Sequence, residues 1–325
     1  MALALAAATV VVPNALAGNG GFAPVVPESP NAHHIRQSYL FISIFVGAIF
    51  VLVETILIVF VFRYRRRRRP RFEDGAPIHG ATNLELMWTA FPVVVLFLIA
   101  TFIFVKLPGI VDVPAAGASG QLEIRVTGRQ FYWQFEYPNG VVTIDTMRAP
   151  AGVPVRLRVT SPPNDVIHSW WIPALGGKIQ AIPGRINHTW FRANTAGTFT
   201  GQCAELCGVF HASMLATVQA ESARSYHTYV TRTAPATIGQ QEWSGVCATC
   251  HGNLGQGGYG PAISSNTVIT QPAALAGILR EGVTGSAGAM PPVGDTWTNG
   301  QILALVHYLR KNIYKPAPLG ATSGG

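Results

Sequence analysis

A run of soft metal ligands lies within twelve residues of the sequence: Cys203, Cys207, His211 and Met214. Two thiolates, an imidazole and a thioether form a set that suits copper, and His168 offers a second imidazole. A Cys203–Cys207 disulfide would suit an oxidising compartment, but it leaves His211 and Met214 unexplained. A zinc site is the other alternative, although methionine is not a usual zinc ligand. The pattern therefore favours copper.

A second motif, C-x-x-C-H, is formed by Cys247, Cys250 and His251. It is the attachment signal of a c-type haem, in which two thioethers fix the porphyrin and the histidine is an axial ligand. A bare C-x-x-C could instead be redox-active or bind zinc, but the adjoining histidine favours haem. The chain has four cysteines. They form one pair for each candidate centre, which leaves none for a disulfide.

The copper-ligand run ends a stretch of short β-rich segments. Alternating apolar and polar residues at 122–126 and 153–159, with Pro, Gly and Asn between the segments, predict about eight strands over residues 121–222. This pattern is typical of a β-sandwich or Greek-key barrel. A linker is predicted near residues 231–237, and the haem motif then opens a second domain over residues 238–315.

Two long apolar runs precede these domains. Residues 40–62 contain a single charge, Glu54, and residues 86–105 contain none. About 20 helical residues span a hydrocarbon core of about 30 Å, so both runs are long enough, and residues 39–107 are predicted to form a transmembrane helical hairpin. An ionisable group inside a span is costly, so Glu54 is expected to face a partner subunit rather than lipid.

The positive charge of the chain is concentrated between the two apolar runs. Seven of the 23 basic residues lie at positions 63–71, and without them 16 basic residues stand against 15 acidic ones, a net of +1 instead of +8. Arginine-rich loops between spans face the cytoplasm. We therefore expect a bacterial plasma-membrane protein whose later domains lie on the periplasmic or outer face, with membrane lipid rather than nucleic acid around its basic loop.

Composition agrees with this interpretation. The chain is 49% apolar and only 12% charged, with a mean hydropathy of +0.29, which excludes an intrinsically disordered protein and disfavours an ordinary cytosolic enzyme. Residues 1–17 form a candidate signal peptide that ends in Ala-Leu-Ala. The alternative for that segment is a disordered apolar tail.

Over residues 35–222 the sequence resembles subunit II of the haem–copper cytochrome c oxidases. The matching segments are Asn83–Pro92, Gly128–Trp133, the segment around His168, and Cys203–Met214. The resemblance implies a cupredoxin domain with the binuclear copper centre CuA. In it, Cys203 and Cys207 would bridge two coppers and His168 and His211 would bind one each, while Met214 and the backbone carbonyl of Glu205 would be weaker ligands.

Three further roles follow from the resemblance by position. The Glu205 carboxylate would reach a magnesium ion at the border with subunit I, and Glu85 would lie at the mouth of a proton-uptake path. Glu85 could also be an ordinary carboxylate favoured by the dipole at a helix N-terminus. Phe131, Tyr132 and Trp133 correspond to the electron-entry patch for cytochrome c, although members of the family commonly have tryptophan where Phe131 stands.

Residues 238–315 resemble a class I cytochrome c, which implies an all-α domain. Helices are predicted over residues 272–281 and 301–312. Between them, Gly288-Ala-Met290-Pro-Pro matches the loop of the methionine ligand, so Met290 would be the second axial ligand of the haem. Methionine–histidine ligation raises the haem potential, which suits delivery to a high-potential oxidase. The alternative for Met290 is an ordinary core residue.

The function that these resemblances imply is one-electron relay within a cytochrome c oxidase. Electrons would pass from the fused haem c to CuA and on to subunit I, where O2 is reduced to water with proton pumping. The expected partners are subunit I, subunit III, and an upstream respiratory complex or cytochrome c as donor. The alternatives are the CuA subunit of a nitric oxide reductase and a membrane-anchored electron carrier.

Overall fold

The structure, a computed structural model, describes residues 24–64, 77, 79–114, 121–285 and 288–316. The candidate signal peptide and the arginines at positions 65–71 lie outside the described residues. The chain divides into two compact units, one ending at Asp112 and the other beginning at Val113.

The first unit contains two long apolar helices, α1 (Pro30–Arg63) and α2 (Thr82–Val111). Both are long and apolar enough to cross a membrane. Each extends beyond the apolar run that predicted it, because helical geometry continues into the polar flanks, and a proline in the first turn of α1 is compatible with a helix start. The rings of Phe41 and Phe102 stack with centroids 4.0 Å apart, so the two helices form an antiparallel pair.

The second unit begins with a β-sandwich of ten described strands, two more than the sequence indicated. The first main sheet has five strands, in the order β3 (Val142–Ile144), β2 (Tyr132–Glu136), β1 (Leu122–Arg129), β5 (Val155–Thr160) and β8 (Asn187–Phe191). The second main sheet has three strands, in the order β4 (Thr146–Pro150), β10 (Leu215–Glu221) and β9 (Gly197–Gln202). A small hairpin adds β6 (His168–Trp170) and β7 (Ile179–Ala181). The pairs β1–β5 and β4–β10 are parallel, and the other pairs of these sheets are antiparallel.

The core of the sandwich is formed by alternate residues of its strands. Along β5, Val155, Leu157 and Val159 are buried and the residues between them are half-buried, as a strand with one face on the core requires. Trp170 lies at the centre, with the rings of Trp133 and Phe135 edge-on against it at 5.2 and 5.5 Å. Edge-on aromatic packing of this kind stabilises a core beyond the area that it buries.

The stretch near residues 231–237 that was predicted as a linker is helical in the structure. From α3 (Ala223–Thr228) the chain continues through a π-helical turn into α4 (Ala234–Glu242), and through a second π-helical turn into α5 (Ala248–His251). Tyr229 and Val230 are buried against the sandwich core. Their burial holds the connection in place as part of the fold.

The remainder of the second unit is mainly helical. Helix α6 (Pro272–Glu281) coincides with its predicted range, and α7 (Asn299–Asn312) begins at a capping box formed by Thr298 and Gln301. A short hairpin, β11 (Val283–Gly285) and β12 (Gly288–Met290), accompanies the helices. At Gly239 in α4 a Cβ atom would overlap the Ala304 carbonyl of α7, so the absence of a side chain allows these two helices to pack closely.

Candidate metal centres

The soft ligands of the first motif meet at one end of the sandwich. His168 opens β6, Cys203 follows β9, and Met214 precedes β10. Cys207 lies in the loop between β9 and β10, and His211 begins a single 3₁₀ turn in the same loop. Residues that are up to 46 positions apart are thus brought together because neighbouring elements of the sandwich end on the same side.

Every predicted ligand atom of this group lies within 4 Å of a cysteine sulfur. The Cys203 Sγ is 3.9 Å from His168 Nδ1 and 3.2 Å from the Glu205 carbonyl oxygen. The Cys207 Sγ is 3.6 Å from His211 Nδ1 and 3.9 Å from Met214 Sδ. His168, Cys203, Cys207 and Met214 are buried, whereas His211 is half-buried.

The two sulfurs of the cluster are not bonded to each other. Cys203 Sγ and Cys207 Sγ are 3.9 Å apart, about twice the length of a disulfide bond. Both thiols therefore remain available as metal ligands. A thioether stands beside two thiols and two imidazoles, and this donor chemistry fits copper better than zinc.

The protons of the two thiols are coupled. The hydrogen bond between the two sulfurs, followed by one from His168, lowers the pKa of Cys203, while the same sulfur–sulfur hydrogen bond and burial raise the pKa of Cys207. Cys203 is therefore the thiol that loses its proton more readily. The second proton must leave when a metal takes both sulfurs, so metal binding releases protons.

Asp165 orients the buried imidazole. Its Oδ1 lies 3.3 Å from His168 Nε2, which leaves Nδ1 directed at the sulfurs. Burial lowers the pKa of His168, but hydrogen bonds to Asp165 and Cys203 outweigh it and the net shift is upward. A carboxylate behind a metal-binding histidine fixes its ring and tautomer. Sequence reasoning assigned no role to Asp165, although its position three residues before His168 was a usable signal.

The two acidic candidates are in different settings. The Glu205 carboxylate is partly exposed and accepts a hydrogen bond from Gln180 Nε2 at 3.5 Å, while its backbone carbonyl faces Cys203. Glu85 is exposed in the first turns of α2, and its Oε1 accepts a hydrogen bond from the Ala81 N–H at 3.1 Å. Glu85 therefore interacts with the backbone at the N-terminus of α2, as an ordinary carboxylate in the first turn of a helix does.

The three residues of the predicted entry patch are mostly covered. Tyr132 and Trp133 are fully buried, and Phe131 is half-buried. The Phe131 ring lies edge-on to Phe210 with 5.4 Å between centroids. Trp133 packs against His168 at 6.1 Å, so this segment adjoins the copper-ligand cluster.

The second motif lines a large cavity of about 760 Å³, which is within the usual range for cofactor sites. Cys247, Cys250, His251 and Met290 all contribute to its wall. The four residues predicted to hold a haem therefore face one space, although Met290 is 39 positions beyond His251.

His251 is held in one orientation. Its Nδ1 lies 2.8 Å from the Pro261 carbonyl oxygen, so Nδ1 donates its proton there and Nε2 is left as the ligand atom. Burial raises the pKa of Cys247 to about 12 and also raises the pKa of Cys250. Reactive C-x-x-C pairs have lowered thiol pKa values. The cavity and these shifts fit haem attachment better than a thiol redox site.

One wall of the cavity comes from the sandwich. Gln130, Phe131, Val209 and Phe210 line it together with the residues of the helical domain. Val209 and Phe210 belong to the loop that carries Cys207 and His211. The copper-ligand loop thus closes one side of the candidate haem site, a relation that the two motifs did not predict.

Three families of sequences match successive parts of the chain. "Cytochrome C oxidase subunit II, transmembrane domain" matches residues 21–105, and "Cytochrome C oxidase subunit II, periplasmic domain" matches residues 141–221. "Cytochrome C oxidase, cbb3-type, subunit III" matches residues 234–309. The first two together cover about half of the chain. They correspond to the two apolar helices and to the sandwich, and the third corresponds to the helical domain.

Several curated relatives have the same description. Cytochrome c oxidase subunit 2 of Cereibacter sphaeroides is 31% identical over 66% of this chain and 80% of that protein. The subunit 2 of Alkalihalophilus pseudofirmus is 37% identical over 58% of this chain, which spans only 55% of that relative. The solved periplasmic domain of subunit II from Bradyrhizobium japonicum is 37% identical over 38% of this chain and 96% of that domain, with a TM-score of 0.34. The chain belongs to the cytochrome c oxidase subunit II family and carries a C-terminal cytochrome c domain.

Proposed function

We propose that this chain is the electron-relay subunit of a haem–copper oxidase. It would take electrons at a covalent haem c, pass them to a CuA centre, and deliver them to subunit I for the reduction of O2 to water with proton pumping. The observation that carries this proposal is the shared cavity, which residues of the copper-ligand loop line together with the haem-attachment residues.

Six donor groups would hold the copper pair. Cys203, Cys207, His168, His211, Met214 and the backbone carbonyl of Glu205 would hold the metals. A copper pair held by two thiolates would share one electron over both metals, which would reduce the rearrangement on each transfer. The support in this chain is the set of contacts to the two sulfurs, all within 4 Å.

The protein matrix keeps these donors ready. Asp165 fixes the imidazole of His168, and the ring of Trp133 packs edge-on against that imidazole. The sulfur atoms are shielded from water because Cys203 and Cys207 are buried. Preset ligands need little movement when the metal changes its charge, which suits a one-electron relay.

The helical domain would hold the haem. Cys247 and Cys250 would form thioethers, His251 would be one axial ligand, and Met290 the other. Such a haem supplies reversible one-electron oxidation at a raised potential. The contribution of the chain is an apolar cavity, a histidine fixed by the Pro261 carbonyl, and a methionine that lines the same cavity.

The membrane helices would anchor this relay beside subunit I. The arginines at 63–71 would face the cytoplasm, and the sandwich and helical domain would lie on the periplasmic side. Subunit I, subunit III and an upstream respiratory complex or cytochrome c are the proposed partners. Magnesium at Glu205 and a proton path starting at Glu85 belong to the same proposal.

The test is purification of the complex from its native membrane with this chain intact. We expect covalent haem c and CuA in this subunit, and haem with CuB in a tightly associated subunit. Reduction of haem c in a stopped flow should be followed by reduction of CuA at a rate independent of protein concentration. A partner with haem b and non-haem iron would indicate a nitric oxide reductase instead. A lone stable monomer would indicate a free carrier.

A further inference from the structure

The loop that follows Met290 is fastened to the sandwich. Arg129, at the end of β1, donates hydrogen bonds to the Asp295 carboxylate and the Thr296 hydroxyl. The Tyr132 hydroxyl, at the start of β2, donates to the Val293 carbonyl at 2.6 Å. Two side chains of the sandwich therefore hydrogen-bond to three residues, Val293, Asp295 and Thr296, of the loop that follows the candidate axial ligand.

The sandwich side of these contacts is buried. Arg129 is only 3% exposed and Tyr132 is fully buried, whereas Asp295 and Thr296 are exposed residues. Tyr132 also lies edge-on to Trp297 of the same loop, with 6.5 Å between ring centroids. Because a buried charge without its partner is destabilising, the buried Arg129 guanidinium favours a loop conformation that keeps Asp295 beside it.

The hydrogen bonds from Arg129 and Tyr132 reach the chain close to Met290. Only Pro291 and Pro292 separate Met290 from Val293, and proline rings fix the backbone φ angle. A short rigid segment transmits the position of Val293 to Met290. The other attachments of this region, such as the Gly294 N–H to the Leu279 carbonyl at 2.8 Å, come from the helical domain itself.

We propose that Arg129 and Tyr132 are positioning residues for the Met290 ligand, so that the copper-binding domain helps to set the coordination and potential of the haem that supplies it. The inference rests on the proposed function, because it requires a haem c with Met290 as axial ligand. The haem potential then depends on how firmly the sandwich holds residues 293–296. Loosening this hold weakens the methionine–iron bond and lowers the potential.

Two variants test the proposal in the intact complex. Arg129→Leu removes both hydrogen bonds to the loop, and Tyr132→Phe removes only the hydroxyl. Arg125→Leu is the matched control, since Arg125 lies on the same strand in an exposed pair with Glu136 at 3.5 Å. The readouts are the potential of haem c, the methionine–iron band in near-infrared magnetic circular dichroism, and the rate at which imidazole binds the oxidised haem.

We expect Arg129→Leu to weaken the methionine band, speed imidazole binding severalfold and lower the potential. Tyr132→Phe should shift each quantity in the same direction by less, and Arg125→Leu should match the wild type. If Arg129→Leu does not assemble, Tyr132→Phe decides the matter. Wild-type values in every assembled variant would overturn the inference and leave the proposed function standing. A wild-type haem without a methionine band would overturn both.

Discussion

The ring of Phe210 lies edge-on against the ring of Tyr259, with 5.0 Å between their centroids. Phe210 immediately precedes the candidate copper ligand His211, and Tyr259 lines the candidate haem cavity. The two candidate centres are thus joined by direct packing between their loops. A covalent tether raises the effective concentration of a donor, and this contact adds a defined docking geometry.

The first prediction concerns this aromatic contact. Tyr259→Leu removes the ring that meets Phe210, and Tyr259→Phe keeps it. Because electron tunnelling slows across gaps in packing, we expect Tyr259→Leu to slow haem-to-CuA transfer severalfold and Tyr259→Phe to leave it unchanged. Flow-flash or stopped-flow kinetics at two wavelengths measure the step. Equal rates in the two variants would show that the electron takes another route.

The second prediction concerns Phe131, a position at which the family resemblance implies tryptophan. The ring contacts Phe210, and a Cβ on Gly208 would come within 2.9 Å of it. Phe131→Trp enlarges a ring that is already packed against these two residues, and overpacking typically costs about 1–3 kcal/mol. We expect slightly lower stability and no gain in the rate of oxidation of the fused haem.

A severalfold faster oxidation of that haem in Phe131→Trp would contradict this expectation. We explain phenylalanine at this position by tethering: a fused donor at high effective concentration does not depend on an entry patch suited to a diffusing partner. Faster oxidation in Phe131→Trp would show that phenylalanine slows electron entry, and it would contradict this explanation. Thermal unfolding measured alongside the kinetics separates a change in rate from a change in stability.

The third prediction concerns the copper cluster. Serine in place of Cys207 removes a sulfur that lies 3.9 Å from Cys203 and from Met214 and 3.6 Å from His211. Because thiolate bridging is what delocalises the electron, Cys207→Ser should abolish the near-infrared CuA band and the mixed-valence EPR signal. Haem c absorbance should remain, since Cys247 and Cys250 are untouched. An unchanged EPR spectrum would refute the ligand assignment.

The fourth prediction concerns Met290, a half-buried residue on the cavity wall. Met290→Ala leaves the covalent attachment at Cys247 and Cys250 intact, so haem content should stay at the wild-type level. Loss of the thioether ligand should remove the far-red methionine–iron band and lower the midpoint potential. A band that persists in this variant would indicate another axial ligand.

The chemistry-bearing residues could be found from the sequence because their types are rare and their spacing is local. Cys203 and Cys207, or Cys250 and His251, identify their motifs without a fold. The helix over residues 272–281 and the alternation along β5 could also be predicted, since each depends on residues that are close in the sequence. The packing of the linker region could not be predicted, because the burial of Tyr229 and Val230 against the sandwich is a long-range effect.

The relation between the two domains could not be predicted. Arg129 and Asp295 are 166 positions apart, and either could have been an ordinary solvated charge. Tyr132 and Trp133 were assigned to an entry patch by position from the family resemblance, which does not show that both are fully buried. Contacts between residues so far apart in the sequence depend on tertiary packing, which local sequence patterns do not show.

The last prediction uses Glu242, which is fully buried at the end of α4. Its Oε1 accepts a hydrogen bond from Gln301 Nε2 at 3.2 Å, which joins α4 to α7. Burial raises the pKa of this carboxyl to about 8, although the hydrogen bond from Gln301 opposes the shift. The folded protein therefore holds this proton more tightly than the unfolded chain does.

The sign of the pH effect follows from proton linkage. Between the ordinary carboxyl pKa of 4.5 and about 8, the folded state binds more protons than the unfolded state, so the free energy of unfolding falls as pH rises through this window. Each pH unit of the shift corresponds to roughly 1.4 kcal/mol. Glu242→Gln keeps a side-chain acceptor for Gln301 but does not ionise. It should abolish this decline and be more stable than the wild type at pH 8.

Chemical unfolding followed by the Soret circular dichroism of the haem domain, at pH values from 5 to 9, measures the effect. Glu281→Gln is the control, because Glu281 is an exposed acid at the end of α6 in the same domain; it should keep the wild-type pH dependence. If Glu242→Gln loses stability with pH as steeply as the wild type, the decline comes from other groups. If the wild type is instead stabilised as pH rises from 5 to 8, Glu242 is ionised in the folded protein, and burial does not control its proton.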